Sequence, residues 1–199
     1  MDSPTAPMAL GAGDALLVVD LQNDFLPGGS LAVPHGDAVI RPLNRLIDLF
    51  ARRGLPVLAT RDWHPPGHCS FREQGGPWPP HCVADTPGAA FAAALALPAS
   101  ATVVSKAASV AKDAYSGFDG TELDELLRAA GVRRLFVGGL ATDYCVLNTV
   151  RDALAKGYGV QLLTDAIRPV EVEAGDGARA VAEMERVGAE PIASTQVMD

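Results

Sequence analysis

Residues 135–165, LFVGGLATDYCVLNTVRDALAKGYGVQLLTD, contain an apolar run, a helical stretch and a second apolar run in direct succession. The runs Leu135–Val137 and Val160–Leu163 are apolar on both faces, which is typical of parallel strands covered by helices. Between them, Asp143–Lys156 is predicted to be a helix, which Gly157 ends. The segment therefore predicts a strand–helix–strand unit, the element from which parallel α/β sheets are built.

The same alternation runs through the rest of the chain. Three further apolar runs predict strands, at Ala15–Val19, Val57–Thr60 and Thr102–Ser105. Three further helices are predicted, at Asp37–Arg53, from Thr121 to Gly131, and at Asp176–Val187. We therefore expect an α/β fold of three layers, in which helices cover both faces of a mostly parallel central sheet.

Length and composition limit the class of protein. The chain of 199 residues is long enough for one domain with a sizeable core, which we place at residues 14–199, after a flexible tail at residues 1–13. A net charge of −8 disfavours binding to nucleic acid or to anionic membranes. The longest apolar run, Ala89–Leu97, is too short to span a bilayer, and the first residues carry no Lys or Arg, so a secretory leader is not expected. With three scattered cysteines and no disulfide pattern, a cytoplasmic protein is expected.

Reactive side chains follow four of the five predicted strands. They are Asp20, Asp62, Lys106 and, after a short loop, Cys145. Because the carboxyl ends of parallel strands meet at one edge of the sheet, sites in such folds form there. A single polar residue after a strand ordinarily begins a loop, but four residues of complementary chemistry at one edge predict a functional site.

Cys145 is a candidate nucleophile. It follows a glycine turn and is expected in the first turn of the predicted helix, where the helix dipole would lower the pKa of the thiol. The alternative is a small buried apolar residue, which is the usual state of an intracellular cysteine. Asp20 and Lys106 favour catalysis, because a carboxylate can accept the thiol proton and an ammonium can stabilise the resulting anions.

A candidate metal site begins at Asp62 and His64. Their side chains lie on the same side of an extended segment, and His68 and His81 follow along the chain. A third ligand from this region would complete a set of one oxygen and two nitrogens, which suits zinc, iron or manganese and leaves positions open for substrate. The alternative is that these histidines belong to a solvent-exposed loop.

Four aromatic residues lie in predicted loops rather than in periodic apolar segments: Phe25, Trp63, Trp78 and Tyr115. Aromatic side chains in loops either cover a flat ligand or close the edge of the core. Two of them flank or lie in the long segment Pro65–Pro80, and a loop of this length without secondary structure is usually functional or disordered. The histidines nearby favour the functional interpretation.

Taken together, these residues resemble the nicotinamidase branch of the isochorismatase-like cysteine hydrolases. The resemblance extends from Leu16 to about Pro191. The matching segments, in chain order, are VVDLQNDF (18–25), PGGSL (27–31), TRDWHP (60–65), WPPHCV (78–83), Lys106, DAYSGF (113–118) and GGLATDYCV (138–146). The chain departs from the family pattern at Ala84-Asp85, Ala107 and Ile167, none of which is a predicted catalytic or metal position.

The resemblance implies roles for individual residues. It implies a catalytic triad of Asp20, Lys106 and Cys145, and metal ligands Asp62, His64 and His81, with the part played by His68 left open. It also implies an oxyanion hole formed by the N–H groups of Ala141 and Cys145, beside a cis peptide bond after Leu140. The walls around the substrate ring would be Phe25, Trp78 and Tyr115.

The implied fold is that of the isochorismatase-like hydrolases, and the implied reaction is hydrolysis of nicotinamide to nicotinate and ammonia through a cysteine thioester, a step of NAD salvage. The implied cofactor is a divalent metal ion, zinc in the first place, with iron or manganese as alternatives. Nicotinamide is the expected partner, and assembly into a homo-oligomer is left open. Two alternatives stay open: a metal-free amidase of the same superfamily that acts on another small amide, and a noncatalytic ligand-binding relative.

Overall fold

The structure is a computed structural model that describes residues 7–199. Its strands are β1 (Met8–Ala9), β2 (Asp14–Val19), β3 (Val57–Asp62), β4 (Thr102–Lys106), β5 (Arg134–Leu140), β6 (Gly159–Arg168), β7 (Glu190–Ile192) and β8 (Val197–Met198). Its α-helices are α1 (Ile40–Arg52), α2 (Leu123–Ala129), α3 (Leu147–Ala155) and α4 (Asp176–Arg186). No helix among the described residues is long and apolar enough to cross a membrane.

The central sheet has the strand order β4-β3-β2-β5-β6-β7, and all neighbouring strands are parallel. From β2 the chain moves outward through β3 to β4, and it then returns to the other side of β2 with β5. This reversal creates a switch point between β2 and β5, and ligands of such sheets bind there, at the carboxyl ends of the strands. The predicted α/β fold with a mostly parallel central sheet is confirmed.

The sheet lies between two hydrophobic clusters, and strand β2 contributes side chains to both of them. All six of its residues are buried, and their side chains alternate between the faces of the sheet. Leu16 and Val18 pack in a cluster with the apolar side of α1. Leu17 and Val19 pack in a second cluster with residues of α2, α3 and α4. The continuous apolar run of β2 therefore reflects a strand covered by helices on both faces.

The five predicted strands are all present, and two helices begin differently from the prediction. The helix predicted at Asp37–Arg53 starts with a 3₁₀ turn, Gly36–Val39, before α1. The helix predicted at Asp143–Lys156 starts with a π-helical turn, Thr142–Val146, before α3. Both differences lie at helix N-termini, where local contacts rather than periodicity determine the hydrogen-bonding pattern.

Three short strands were not predicted. Strand β7 contains Pro191 and lies at the edge of the sheet, where proline is tolerated, but its three residues show no alternation. Met8 and Ala9 pair in parallel with Val197 and Met198, so the prediction of a flexible tail over residues 1–13 does not hold for these two residues. Two-residue strands carry no periodic signal. The first six residues of the predicted tail lie outside the described part of the chain.

Candidate active site

The four reactive residues that follow the predicted strands meet at the switch point. Asp20 comes directly after β2, while Asp62 and Lys106 are paired in register as the last residues of β3 and β4. The Lys106 Nζ atom lies 3.0 Å from Asp20 Oδ2 and 3.5 Å from Cys145 Sγ, and it donates a short hydrogen bond to Asp62 Oδ1. All four side chains are buried. The structure thus brings together one ammonium, two carboxylates and one thiol.

The two oxygens of Asp20 have different surroundings. Oδ1 accepts a hydrogen bond of 2.6 Å from the Thr60 hydroxyl. Oδ2 faces Lys106 as an ion pair but accepts no hydrogen bond of good geometry from any described residue. Burial raises the pKa of the Asp20 carboxyl, although the charge of Lys106 acts in the opposite direction. Oδ2 is therefore the oxygen with capacity to accept a proton.

Cys145 lies in the π-helical turn Thr142–Val146 rather than in the first turn of an α-helix. Such turns are rare and occur frequently at functional sites. Burial raises the pKa of the thiol well above its usual range; Lys106 lowers it, while Asp20 and Asp62 raise it further. The expected lowering of this pKa is therefore wrong, because two carboxylates and burial outweigh the single ammonium. These surroundings favour the protonated form of the thiol.

Lys106 is the cation that contacts Asp20, Asp62 and Cys145. Burial by itself would lower the pKa of its ammonium, but the charges of Asp20 and Asp62 raise it well above its usual range. The ammonium also donates a hydrogen bond of 3.1 Å to the carbonyl oxygen of Ala114. Lys106 therefore stays charged, and it contacts both the Asp20–Cys145 pair and the candidate metal ligand Asp62.

The backbone next to Cys145 has an unusual course. The peptide bond between Leu140 and Ala141 is cis, as expected. One residue earlier, Gly139 has φ of 130°, and a Cβ atom there would lie 2.0 Å from the carbonyl oxygen of Val19 in β2. Only glycine permits this approach of β5 to β2. Ala141 and Cys145, which follow this approach, line the same pocket.

Asp62, His64 and His81 also converge, and their candidate ligand atoms lie within 4.8 Å of one another. The Nδ1 atom of His64 lies 3.3 Å from the carbonyl oxygen of Ala107, and Nδ1 of His81 lies 2.8 Å from that of Pro79. When each Nδ1–H donates to its carbonyl, both Nε2 atoms are left as ligands. Burial and the neighbouring histidines lower the pKa of His64 to about 3, so its ring is neutral, as metal binding requires. This donor set fits a divalent metal ion.

His68 is buried but lies outside this set. Its ring stacks on that of His64 with centroids 4.2 Å apart. Its Nδ1 atom lies 2.8 Å from Ser70 Oγ, and its Nε2 atom lies 3.2 Å from the carbonyl oxygen of Lys112, so both nitrogens are engaged. The ring of Phe71, which the sequence analysis missed, contacts all three histidines edge-on or tilted. His68 and Phe71 thus pack against the rings of the candidate ligands.

An apolar pocket lies over Cys145. Phe25, Trp78 and Tyr115 line it, and the Trp78 indole donates a hydrogen bond of 3.1 Å to the Tyr115 hydroxyl. The structure adds three lining residues that the sequence analysis did not single out: Leu31, Tyr144 and Val170. Tyr144 directly precedes Cys145, and this position could have revealed it, whereas aliphatic residues give no such signal.

Trp63 belongs to a different environment from the other loop aromatics. Its ring lies under the Arg61 guanidinium, 3.6 Å from its centroid, and packs against the core. Of the two interpretations considered for loop aromatics, Trp63 follows the one in which the ring closes the edge of the core.

Comparison with known proteins places this arrangement among related sequences. Residues 14–196 match the family described as the isochorismatase domain. Nicotinamidase of Escherichia coli is 44% identical in an alignment that covers 88% of this chain and 92% of that protein. The pyrazinamidase of Pyrococcus horikoshii, solved in complex with zinc, is 49% identical with a TM-score of 0.87, over 91% of this chain and 99% of that one. PnC1 from L. infantum, solved in complex with nicotinate, is 36% identical with a TM-score of 0.89, over 98% of this chain and 99% of that one.

Proposed function

Because the chain belongs to the isochorismatase family, we propose that it is a nicotinamidase, a cysteine hydrolase that converts nicotinamide and water to nicotinate and ammonia. The observation that carries this proposal is the buried group of Asp20, Lys106 and Cys145 directly beside a set of metal ligands, at the base of one apolar pocket. The nucleophile can thus reach a carboxamide while the ligands reach the ring that carries it.

In the first half of the reaction, Cys145 is the nucleophile and Asp20 the general base. Asp20 Oδ2 accepts the thiol proton as Sγ attacks the carboxamide carbon, which becomes tetrahedral with a negatively charged oxygen. We assign the N–H groups of Ala141 and Cys145 to that oxyanion, and donors of this kind are typically worth about 3–4 kcal/mol each. Lys106 stabilises the negative charge that passes between Cys145 and Asp20.

In the second half, the same carboxyl group returns its proton. Protonated Asp20 donates it to the departing nitrogen, so that ammonia leaves and a thioester forms on Cys145. Asp20 then accepts a proton from water as the water oxygen attacks the thioester carbon. The C–S bond breaks, the product leaves as nicotinic acid, which loses its proton to solvent to give nicotinate, and the thiolate regains the proton from Asp20. The raised pKa of Asp20 suits a group that is protonated and deprotonated twice in each cycle.

Asp62, His64 and His81 would hold the divalent ion, and we infer that this ion is zinc, with iron and manganese as alternatives. When bound, the ion supplies a coordination position for the pyridine nitrogen and so orients the ring. The chain itself orients the ring through Phe25, Trp78 and Tyr115, which line the pocket. These apolar walls also limit the access of water to the reacting carbon.

The decisive experiment measures ammonia release from nicotinamide and benzamide, together with metal content by mass spectrometry. Benzamide has the same shape but no ring nitrogen, so we expect it to be a much poorer substrate than nicotinamide. We also expect a chelator that removes the ion to weaken nicotinamide turnover. Metal-free protein that hydrolyses both amides equally well would contradict the metal assignment and favour a metal-free amidase. A protein that releases no ammonia from either amide would be a noncatalytic relative.

A further inference from the structure

The turn that follows the catalytic strand β2 carries three polar side chains that reach other parts of the chain. They belong to Gln22, Asn23 and Asp24, which we call the Gln22–Asp24 turn. It begins two residues after Asp20. None of the three side chains belongs to the ligand set or to the Asp20–Lys106–Cys145 group, yet two of them hold the backbone of segments that carry candidate metal ligands.

Gln22 holds the backbone of Asp62 from both sides. Its buried amide donates hydrogen bonds of 2.8 Å to the carbonyl oxygen of Asp62 and 2.9 Å to that of Ala89, and its Oε1 accepts one of 2.8 Å from the Asp62 N–H. The last registered pair between β2 and β3 is Val18 with Ala59. The Gln22 side chain thus extends the hydrogen bonding between β2 and β3 to the backbone of Asp62, a candidate metal ligand.

Asp24 holds the second ligand segment. Its Oδ2 accepts a hydrogen bond of 2.7 Å from the N–H of Cys82, the residue after His81, and its Oδ1 accepts one of 3.3 Å from the N–H of Ser30. Gly88 makes room for this carboxylate, because a Cβ atom there would lie 2.2 Å from Asp24 Oδ2. The side chain of Asn23 adds a hydrogen bond of 2.8 Å to the carbonyl oxygen of Pro87.

We propose that Gln22 and Asp24 are positioning residues for the metal centre, which hold Asp62 and His81 at a set spacing from each other and from Asp20. This inference rests on the metal site of the proposed function. A metal ion that binds between two separate segments requires both segments to be ordered. If they are not ordered before the ion binds, the loss of conformational entropy weakens metal binding. Groups that orient ligands without touching the metal typically change metal affinity by about 10- to 100-fold.

The test compares two substitutions of aspartate by asparagine in the full chain. Asp24→Asn keeps the size of the side chain but replaces one of its two acceptor oxygens with an NH₂ group, so it cannot accept from the Cys82 and Ser30 N–H groups at the same time. Asp165→Asn is the matched control, because the Asp165 carboxylate also accepts two hydrogen bonds, of 2.8 Å and 2.6 Å from the N–H and hydroxyl of Ser194, away from the site. Zinc affinity is measured by competition with a chelator, and thermal unfolding is recorded for both variants.

We expect Asp24→Asn to lower zinc affinity at least about tenfold, and Asp165→Asn to lower it no more than about threefold. A loss below tenfold in Asp24→Asn, or an equal loss in both variants, overturns the inference. If Asp24→Asn does not fold, Gly88→Ala is measured by the same criteria, since its methyl group displaces the Asp24 carboxylate.

A third variant separates this inference from the proposed function. His81→Ala removes a ligand, and wild-type protein that binds zinc no more tightly than His81→Ala has no such metal site, so both proposals fail. Wild-type protein that binds zinc more tightly than His81→Ala but no more tightly than Asp24→Asn retains the metal site, and only the positioning role is wrong.

Discussion

Among single residues, Lys106 determines how charge is distributed in the site. Its ammonium is the only cationic group in direct contact with Asp20, Asp62 and Cys145 among the described residues. Removing one partner of such a buried pair commonly costs about 3–5 kcal/mol, because the remaining charge is left without compensation. Burial and the two carboxylates raise the pKa of the Cys145 thiol more than this single ammonium lowers it, so the group favours the protonated thiol.

Cys145→Ala removes the proposed nucleophile and leaves the residues that line the pocket and the proposed metal ligands in place. We expect turnover of nicotinamide to be abolished, since no other described thiol lines the pocket, while nicotinamide still binds. Ammonia release measures turnover, and calorimetric titration measures binding. More than a few per cent of the wild-type rate in this variant would exclude Cys145 as the nucleophile.

Asp20→Asn keeps the shape of the side chain but removes its ability to accept a proton. Because the proton moves in the transition state and not on binding, we expect kcat to fall by about 10²- to 10⁴-fold with little change in KM. Steady-state kinetics on nicotinamide measure both constants. A variant with raised KM and unchanged kcat would show that Asp20 binds substrate rather than transferring protons.

At the level of elements, the course of the chain at the end of β5 determines the position of Cys145, the candidate nucleophile. Val19 and Gly139 are partners in the β2–β5 register, so the close approach at Gly139 brings the residues that follow β5 next to those that follow β2. The π-helical turn then adds a residue to the first turn before α3 and presents Cys145 to Asp20. Two local irregularities on one element therefore produce the contact on which the chemistry depends.

Gly139→Ala tests this close approach. We expect it to lower the free energy of unfolding by about 3 kcal/mol or more, because φ of 130° is unfavourable for alanine and its methyl group would overlap the backbone of Val19. Gly11→Ala is the control, since a Cβ atom at Gly11 has no neighbour within 4 Å. Urea unfolding measures both variants, and equal stabilities would contradict the steric argument.

In the whole molecule, the order of the strands collects the site. Asp62 and Lys106 are the last residues of β3 and β4 on one side of β2, and Cys145 follows β5 on the other. The switch point between β2 and β5 leaves a space that neither crossover covers, and the pocket over Cys145 opens there. Loops that carry Phe25, Trp78 and Tyr115 form the walls of that pocket.

The buried thiol and ammonium make stability depend on pH. Burial, together with Asp20 and Asp62, raises the pKa of Cys145 above its ordinary value of 9.0. A group whose pKa is raised in the folded state binds its proton more tightly there than in the unfolded chain, so its contribution is complete below the ordinary pKa and is lost as pH rises through the folded one. Lys106 follows the same rule above its ordinary value of 10.5.

We therefore expect the free energy of unfolding of the wild-type protein to fall between pH 9 and 10.5 more steeply than that of Cys145→Ala. The difference in slope should be about 1.4 kcal/mol per pH unit, the effect of one proton. Cys82, which also has a pKa raised by burial, is present in both proteins and cancels in the comparison. Urea unfolding at a series of pH values measures the slopes, and parallel curves would mean that Cys145 titrates alike in both states.

The sequence by itself determined the alternation of strands and helices and the positions of the reactive residues relative to strand ends. Apolar periodicity is a local property, so the runs that form β2 and β5 could be recognised without knowledge of their neighbours. The parallel arrangement then placed Asp20 and Lys106 at the same edge, since all strands of such a sheet end on one side. The resemblance of the quoted motifs to a family added the expected roles.

Only the tertiary structure decided how these residues act on one another. It engaged both nitrogens of His68, it surrounded Cys145 with two carboxylates that raise its pKa, and it turned the predicted helix start into a π-helical turn. It also joined Gln22 to Asp62 and Asp24 to Cys82. Most of these features depend on contacts between residues far apart in the chain, and on burial and charge at those contacts, which no local pattern of side chains records.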